Sequence, residues 1–336
     1  MTLATPAPLR IGVIGFDHWY AAIPFARKIA AEPAVRLRAL VDRDPARVRH
    51  VADLTGCERT STDPAFVLDD PEIDAIACFT SVDQSPDLCV AAARAGKHIV
   101  SVKPLATTLA EADRIVAEVE RAGVVFVPSE SRHTSPLAVR LAGLVNSGRL
   151  GELRAGTFAM HSGLPVAWPG STEGPGWWAD PARTAGGAWI DHAVYQLDRM
   201  NALFGSPVAE VTGTVADIAH PGLPVEDYGH AVFTLQSGAV VTVEDTWIAP
   251  AGTSSTRAHI VGSEGAVFHS TATGTLGVAE AGGEWSFTKL PADTFDTVEV
   301  LLAAVNDGVT PGSTVRTARQ TLAACLAFYE AARRGH

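Results

Sequence analysis

Apolar and polar positions follow two different rhythms along this chain. In the first third, short apolar runs alternate with stretches whose apolar residues recur at helical spacing. Leu9 to Gly15 reads as a strand and His18 to Ala31 as a helix. Val35 to Val41 is a second strand, ending at Asp42. Pro45 to Leu54 is a helix with Pro at its first position and Asp44 as its N-cap. Ile73 to Phe79 is a strand, Pro86 to Ala95 a helix and Ile99 to Val102 a strand. Leu109 to Ala122 is a helix closed by Gly123, and Val124 to Val127 is another strand. This alternation predicts an α/β domain with a parallel, doubly wound sheet, whose strand ends share one ligand-binding edge.

Beyond about residue 130 the pattern changes. Pro136 to Ser147 looks helical, Ser162 to Gly187 is rich in Gly, Pro and Trp, and Ala188 to Leu203 is a helix. Strand-like runs follow at Val208 to Val215, Tyr228 to Gln236, Ala239 to Ile248, Arg257 to Val261 and Ala266 to His269. Val315 to Arg334 is a terminal helix with an apolar stripe. These predict an α+β domain with a large, open, mainly antiparallel sheet. The expected division is 8–128, 129–312 and a C-terminal helix within 313–336 that packs back on the body.

A chain of 336 residues, nearly half of them hydrophobic, suits two cores. The net charge of −11, without a basic block, argues against a nucleic-acid partner or an anionic membrane surface. No apolar run approaches the ~20 residues needed to span a bilayer. Cys57, Cys78, Cys89 and Cys325 form no CxxC pair and read as reduced thiols of a cytoplasmic protein. The opening Ala/Pro/Thr tail lacks a signal-peptide core.

Strand, glycine, helix, strand, acid is the order of a Rossmann dinucleotide-binding unit, with Gly15 as its first fingerprint glycine and Asp42 positioned to accept the ribose hydroxyls. The fingerprint is broken after Phe16: Asp17 replaces the second glycine and Tyr20 the third. A carboxylate at 17 repels a pyrophosphate unless it turns away; an N-cap role for the next helix is the alternative. His18, Thr80 and Ser81 lie at the same strand ends. Asp42 favours NAD over NADP, while Arg43 beside it leaves NADP possible.

Lys103, followed by Pro104, ends a strand at the mouth of the same sheet. An ammonium on such an element suits a proton donor or orienting group. The second constellation opens with Gly186 and Gly187. Asp191 and Tyr195 are four residues apart and share one helical face, which Asp198 extends; His192 lies round the flank. A carboxylate can orient the phenol, and a nearby ammonium such as Lys103 can lower its pKa.

Together these residues resemble the Gfo/Idh/MocA family of oxidoreductases. The resemblance lies in Ala95–His98 with Val102–Ala106, in Gly148–Glu152, in Trp178–Pro181, and in Gly186–Gly187 with Asp191, Tyr195 and Asp198. It implies an N-terminal Rossmann domain, a C-terminal α/β domain with an open sheet, and NAD(P)-dependent chemistry on sugars and cyclitols. By motif match Lys103 takes the place of the catalytic lysine and Asp191 that of the helix aspartate. Tyr195 stands where most members have the catalytic histidine, and some members carry tyrosine there as the acid/base. Val102, Thr80–Ser81 and Ser85 depart from the family pattern.

The expected reaction is hydride transfer between nicotinamide and a secondary alcohol, with Lys103, Asp191 and Tyr195 catalytic. His133, His161, Trp168, Trp177, Trp178 and His192 are candidate substrate-lining residues. Two rival readings are a redox-neutral enzyme that retains bound NAD and a cofactor-dead sensor or scaffold. His220 and His230 near Glu226 and Asp227 match no zinc spacing, so no metal is expected. The apolar and Thr residues of Tyr228 to Ile248 predict a homodimer or homotetramer through that sheet.

Overall fold

The computed structural model describes residues 7–129, 132–172, 174–291 and 296–334; the first six residues of the opening tail, 130–131, 173, 292–295 and 335–336 lie outside them. The chain separates into two compact units. The first holds residues up to Ser129 with Trp168–Ser171 and Asp296–Arg319, and the second holds the rest.

The first unit runs β1 (Leu9–Ile14), α1 (Trp19–Ala31), β2 (Val35–Val41), α2 (Pro45–Thr55), β3 (Thr60–Ser61), α3 (Ala65–Leu68), β4 (Ala75–Cys78), α4 (Ser85–Arg94), β5 (His98–Ser101), α5 (Leu109–Ala122) and β6 (Phe126–Pro128). Its six strands are parallel, in the order β3-β2-β1-β4-β5-β6. The order reverses between β1 and β4, which opens a crevice at their carboxyl ends. Local signals set the helix limits. Asp44 accepts from Ala46 N at α2, Thr108 and Glu111 form a capping box at α5, and Gly56 and Gly123 end those helices in the left-handed conformation. Gly12 admits α3 against β1, since a Cβ there would lie 2.5 Å from Val67 Cγ1.

The second unit contains α6 (Pro136–Asn146), β7 (Leu153–His161), α7 (Ala188–Phe204), β8 (Val208–Ala216), β9 (Tyr228–Leu235), β10 (Val240–Thr246), β11 (Ser255–Gly262), β12 (Gly265–Ser270), β13 (Thr275–Glu280) and β14 (Ser286–Lys289). Between β7 and α7 the described residues carry only one short 3₁₀ turn, Gly176–Ala179. The eight strands lie in the order β14-β13-β12-β11-β7-β10-β9-β8. All neighbours are antiparallel except β7 and β10, which are parallel. Sequence reading missed β7, β13 and β14, and therefore the parallel pair at the sheet's centre. The runs Leu153–His161 and Thr275–Glu280 are diluted with Gly, Ala and Thr, so their alternation is shallow.

Alternate residues divide this sheet's faces. Gly156, Gly213 and Gly229 face helices, where a Cβ would lie 2.9 Å from Phe204, 2.7 Å from Phe328 and 2.8 Å from Trp189. Glycine at these points lets α7 and the terminal helix approach the strands closely. The opposite face carries Thr157, Thr242, Glu244, Tyr228, His230 and Arg257, by the strand registers.

Two helices complete the chain, α8 (Thr297–Asn306) and α9 (Val315–Arg334). Helix α8 adds Val298 and Leu301 to the buried cluster that contains Ile11, Val13, Phe25, Ile29 and Val100 of the first unit. Its apolar positions 298, 301, 302 and 305 were legible as a helical face but not read as one. No described helix is long and apolar enough to cross a membrane.

Candidate active site

In the first unit, the loops after β1 and β4 flank the crevice and are tied together. Gly15 has φ 84°, and a Cβ there would lie 2.7 Å from Thr80 N, so glycine is required by both conformation and space. His18 N donates to Phe79 O at 3.0 Å. His18 Nδ1 lies 3.0 Å from Thr80 O and donates to it, because a carbonyl only accepts.

Asp17 does not cap α1. The N-cap is His18, which makes no side-chain cap bond. The Asp17 carboxylate instead accepts from Ser81 N at 2.9 Å, from Arg43 at 2.8 and 3.0 Å and from Arg47 at 3.0 Å. Its side chain is only 2% exposed. The charge that sequence reading saw as hostile to a pyrophosphate is thus turned aside and neutralised by two guanidinium groups. The arginines lie beyond β2, so no local pattern announces them. The indole of Trp168 sits 4.9 Å from the Arg47 guanidinium and edge-on to His50.

Asp42 ends β2 with its carboxylate pinned by two backbone amides, Phe16 N at 2.6 Å and Asp44 N at 2.8 Å. Burial pushes its pKa up, and the two amides partly offset that. Each carboxylate oxygen keeps a further lone pair for a hydroxyl. Arg43, the residue expected to admit NADP, is engaged with Asp17 and with Gln84 at 3.2 Å. A dinucleotide fits these residues: a crevice at the strand-order reversal, a helix amino end behind Gly15, and a carboxylate at the end of β2.

Lys103 follows β5 and is 1% exposed. Its backbone N donates to Ser129 Oγ at 3.1 Å, beyond β6, and its bond to Pro104 is cis. Beneath it, Ser85, Ser101, Cys78 and Cys89 form a buried cluster of hydroxyls and thiols; Ser85 Oγ and Ser101 Oγ are 3.2 Å apart. All four cysteines are free.

In the second unit, α7 presents Asp191, Tyr195 and Asp198 along one face. Trp247 Nε1 donates to Asp191 Oδ2 at 3.1 Å, and His192 Nε2 lies 3.2 Å from the same oxygen. His192, expected to stand apart, therefore turns back onto its neighbour. Trp247 was missed; it follows β10 on the helix-facing parity, which becomes visible only once register is known. His133 Nε2 lies 3.0 Å from Asp198 Oδ2, and this bond raises the histidine's pKa. The Arg132 guanidinium lies 4.7 Å from the Tyr195 ring centroid. Tyr195, Arg132, His133, Asp198 and Arg199 line a cavity of about 110 Å³ between α6 and α7.

Trp177 and Trp178 are buried and stacked, with centroids 4.3 Å apart. His161 lies on the sheet face opposite α7, 3.5 Å from Glu244, because its register is one step from Met160. Trp168 belongs to the first unit, against Arg47. Among the described residues no cluster of His, Cys, Asp and Glu could hold a metal ion.

Comparison with known proteins agrees with both halves. Residues 9–129 match the oxidoreductase family with an NAD-binding Rossmann fold, and residues 139–268 match the GFO/IDH/MocA C-terminal domain. The scyllo-inositol 2-dehydrogenase (NAD(+)) of Bacillus subtilis is 28% identical over 270 residues, 78% of this chain and 72% of that protein. The uncharacterized oxidoreductase YdgJ of Escherichia coli is 31% identical over 258 residues, 76% of this chain and 70% of that protein. Among solved structures, a levoglucosan dehydrogenase in complex with NADH and levoglucosan superposes with a TM-score of 0.86 over 98% of each chain, at 20% identity, which speaks to fold. With both domain types matched in order, the chain belongs to the Gfo/Idh/MocA family and is an NAD-binding oxidoreductase of the dehydrogenase and reductase class.

Proposed function

We propose that this protein moves a hydride between NAD and a secondary alcohol or carbonyl of a sugar, cyclitol or related polyol. The observation that carries the reading is the face of α7, where Asp191 is held by Trp247 and His192 one turn before Tyr195. In this reading Tyr195, or Lys103, moves the substrate hydroxyl's proton, and Asp191 orients the polar group beside Tyr195. The nicotinamide, when bound, exchanges the hydride with the substrate carbon.

Gly15, Phe16, His18, Thr80, Ser81 and Pro104 shape the cofactor crevice, and Asp42 takes the ribose hydroxyls. Asp17 and Arg43 act there through each other. His133, His192, Trp177 and Trp178 serve the substrate side; strand register turns His161 to the sheet face opposite α7. The two curated and structural relatives named for inositol and levoglucosan support a polyol.

Tryptophan fluorescence titrated with NADH and NADPH should give at least a tenfold tighter Kd for NADH, because Asp42 repels a 2′-phosphate. Incubation of scyllo-inositol, myo-inositol or levoglucosan with NAD should accumulate NADH absorbance for at least one of them. Failure of both binding and accumulation would end this reading.

The second unit's open sheet face carries Val240, Val261 and, near β14, Trp285 and Phe287, all exposed. This face is proposed to join copies of the chain, with the second unit as the substrate and oligomerisation part and the first unit as the cofactor part. Light scattering should return at least twice the chain mass; a monomer refutes the contact. Free thiols at all four cysteines suit a reducing cytoplasm.

A further inference from the structure

The amino end of α7 has no cap of its own. Its N-cap is Gly187, which brings no side chain, and a helix start leaves backbone donors without intrahelical partners. Two residues remote in sequence supply all of the acceptors. Glu226 Oε1 accepts from Gly187 N at 2.9 Å and Trp189 N at 3.2 Å. The Glu226 backbone oxygen accepts from Ala188 N at 3.0 Å. Tyr329 Oη, on α9, accepts from Ile190 N at 3.2 Å and donates its proton to Glu226 Oε1 at 2.7 Å. The first intrahelical bond, Asp191 N to Gly187 O, begins where these end.

Close packing enforces the arrangement. A Cβ on Gly186 would lie 2.0 Å from Tyr329 Oη, and one on Gly187 would lie 2.1 Å from the Glu226 carbonyl oxygen. The pair of glycines is therefore the space that this acid and phenol occupy. Burial pushes the Glu226 pKa up, while the three donors on Oε1, at the positive end of the helix dipole, favour the carboxylate. Trp189 Nε1 adds a bond to Cys325 O at 3.2 Å on the same terminal helix, and its ring packs on Phe328.

We infer that Glu226 and Tyr329 are positioning residues that fix the axial height and rotation of α7, and through it the placement of Asp191 and Tyr195. The inference rests on the proposed roles of Asp191 and Tyr195 in turnover. Neither residue touches the reacting atoms; each acts through the helix. A small misplacement of a reacting group costs turnover steeply, while cofactor affinity resides in the other unit.

The test is Tyr329→Phe, which removes one hydroxyl and keeps the ring, beside Glu226→Gln, which keeps one acceptor oxygen but removes the charge. Hydrogen exchange followed by mass spectrometry on peptides spanning 187–191 reads the helix start. Kinetics use NAD with whichever of scyllo-inositol, myo-inositol and levoglucosan wild type oxidises. For Tyr329→Phe, exchange should quicken about tenfold or more, kcat should fall about tenfold or more, and KM and the NADH Kd should stay within about twofold. Glu226→Gln should retain more kcat than Glu226→Ala. Faster exchange with unchanged kcat in the folded variant overturns the positioning role and leaves a mere cap. Unchanged exchange overturns the clamp itself. If wild type oxidises none of the three polyols, that result counts against the proposed reaction, and the exchange measurement still decides the clamp.

Discussion

Replacing Lys103 with methionine is expected to lower turnover by about 10²–10⁴-fold while leaving the fold intact. Lys103 is one of the largest fully buried side chains in the chain, and it sits where β5 delivers the backbone to the crevice edge. Methionine keeps the length and the apolar stem and discards the ammonium. Alanine would instead leave a cavity. The methionine variant should still melt cooperatively as a folded protein, the NADH Kd should change little, and kcat should collapse. That combination separates a proton-transfer role from a structural one. Turnover within a few-fold of wild type for Lys103→Met removes the lysine from the chemistry and with it the assignment of the site.

Elements whose determinants are local in sequence were the ones that could be read from it. Helix α5 starts at a Thr108–Glu111 capping box and ends at Gly123, and both limits were legible. Helix α7 begins after two glycines and carries its acid and phenol four residues apart, so its polar face was visible. The strands around β4 announced themselves because a parallel sheet buries both faces and needs continuous apolar runs.

What was not legible depends on contacts between distant residues or on strand register. The centre of the second sheet, β7, is built of small residues that suit helices pressing close to it, which flattens its alternation. His161 looked like a lining residue by its place before the Trp-rich segment; parity along β7 turns it to the other face. Trp247 as the partner of Asp191, and Glu226 with Tyr329 as the cap of α7, link residues between 37 and 139 positions apart. In each case the residue type is legible along the chain and its counterpart is not.

Asp17 shows the same limit most sharply, and it carries the second large prediction. Restoring the fingerprint glycine with Asp17→Gly is expected to weaken both the fold and NADH binding, although it makes the motif look more regular. The carboxylate joins three segments: its own loop, Arg43 and Arg47 beyond β2, and the backbone of Ser81 beyond β4. Glycine leaves the Ser81 amide, which lies in the buried strand-end loop, without this acceptor, at a cost of about 1–3 kcal/mol. It adds about 0.5–1 kcal/mol of backbone freedom to the unfolded chain. The arginines lose their anchor unequally. Arg43 is half exposed and returns to water cheaply, whereas Arg47 is 19% exposed and keeps more of its desolvation cost. The sum is about 2–4 kcal/mol lost in urea unfolding, with NADH affinity falling about tenfold as the two crevice loops come apart. Asp17→Asn, which keeps the Ser81 bond but not the charge, should fall between wild type and glycine. A glycine variant that melts with wild type and binds NADH more tightly would show that the carboxylate is a defect the enzyme tolerates rather than the tie that holds its cofactor loop.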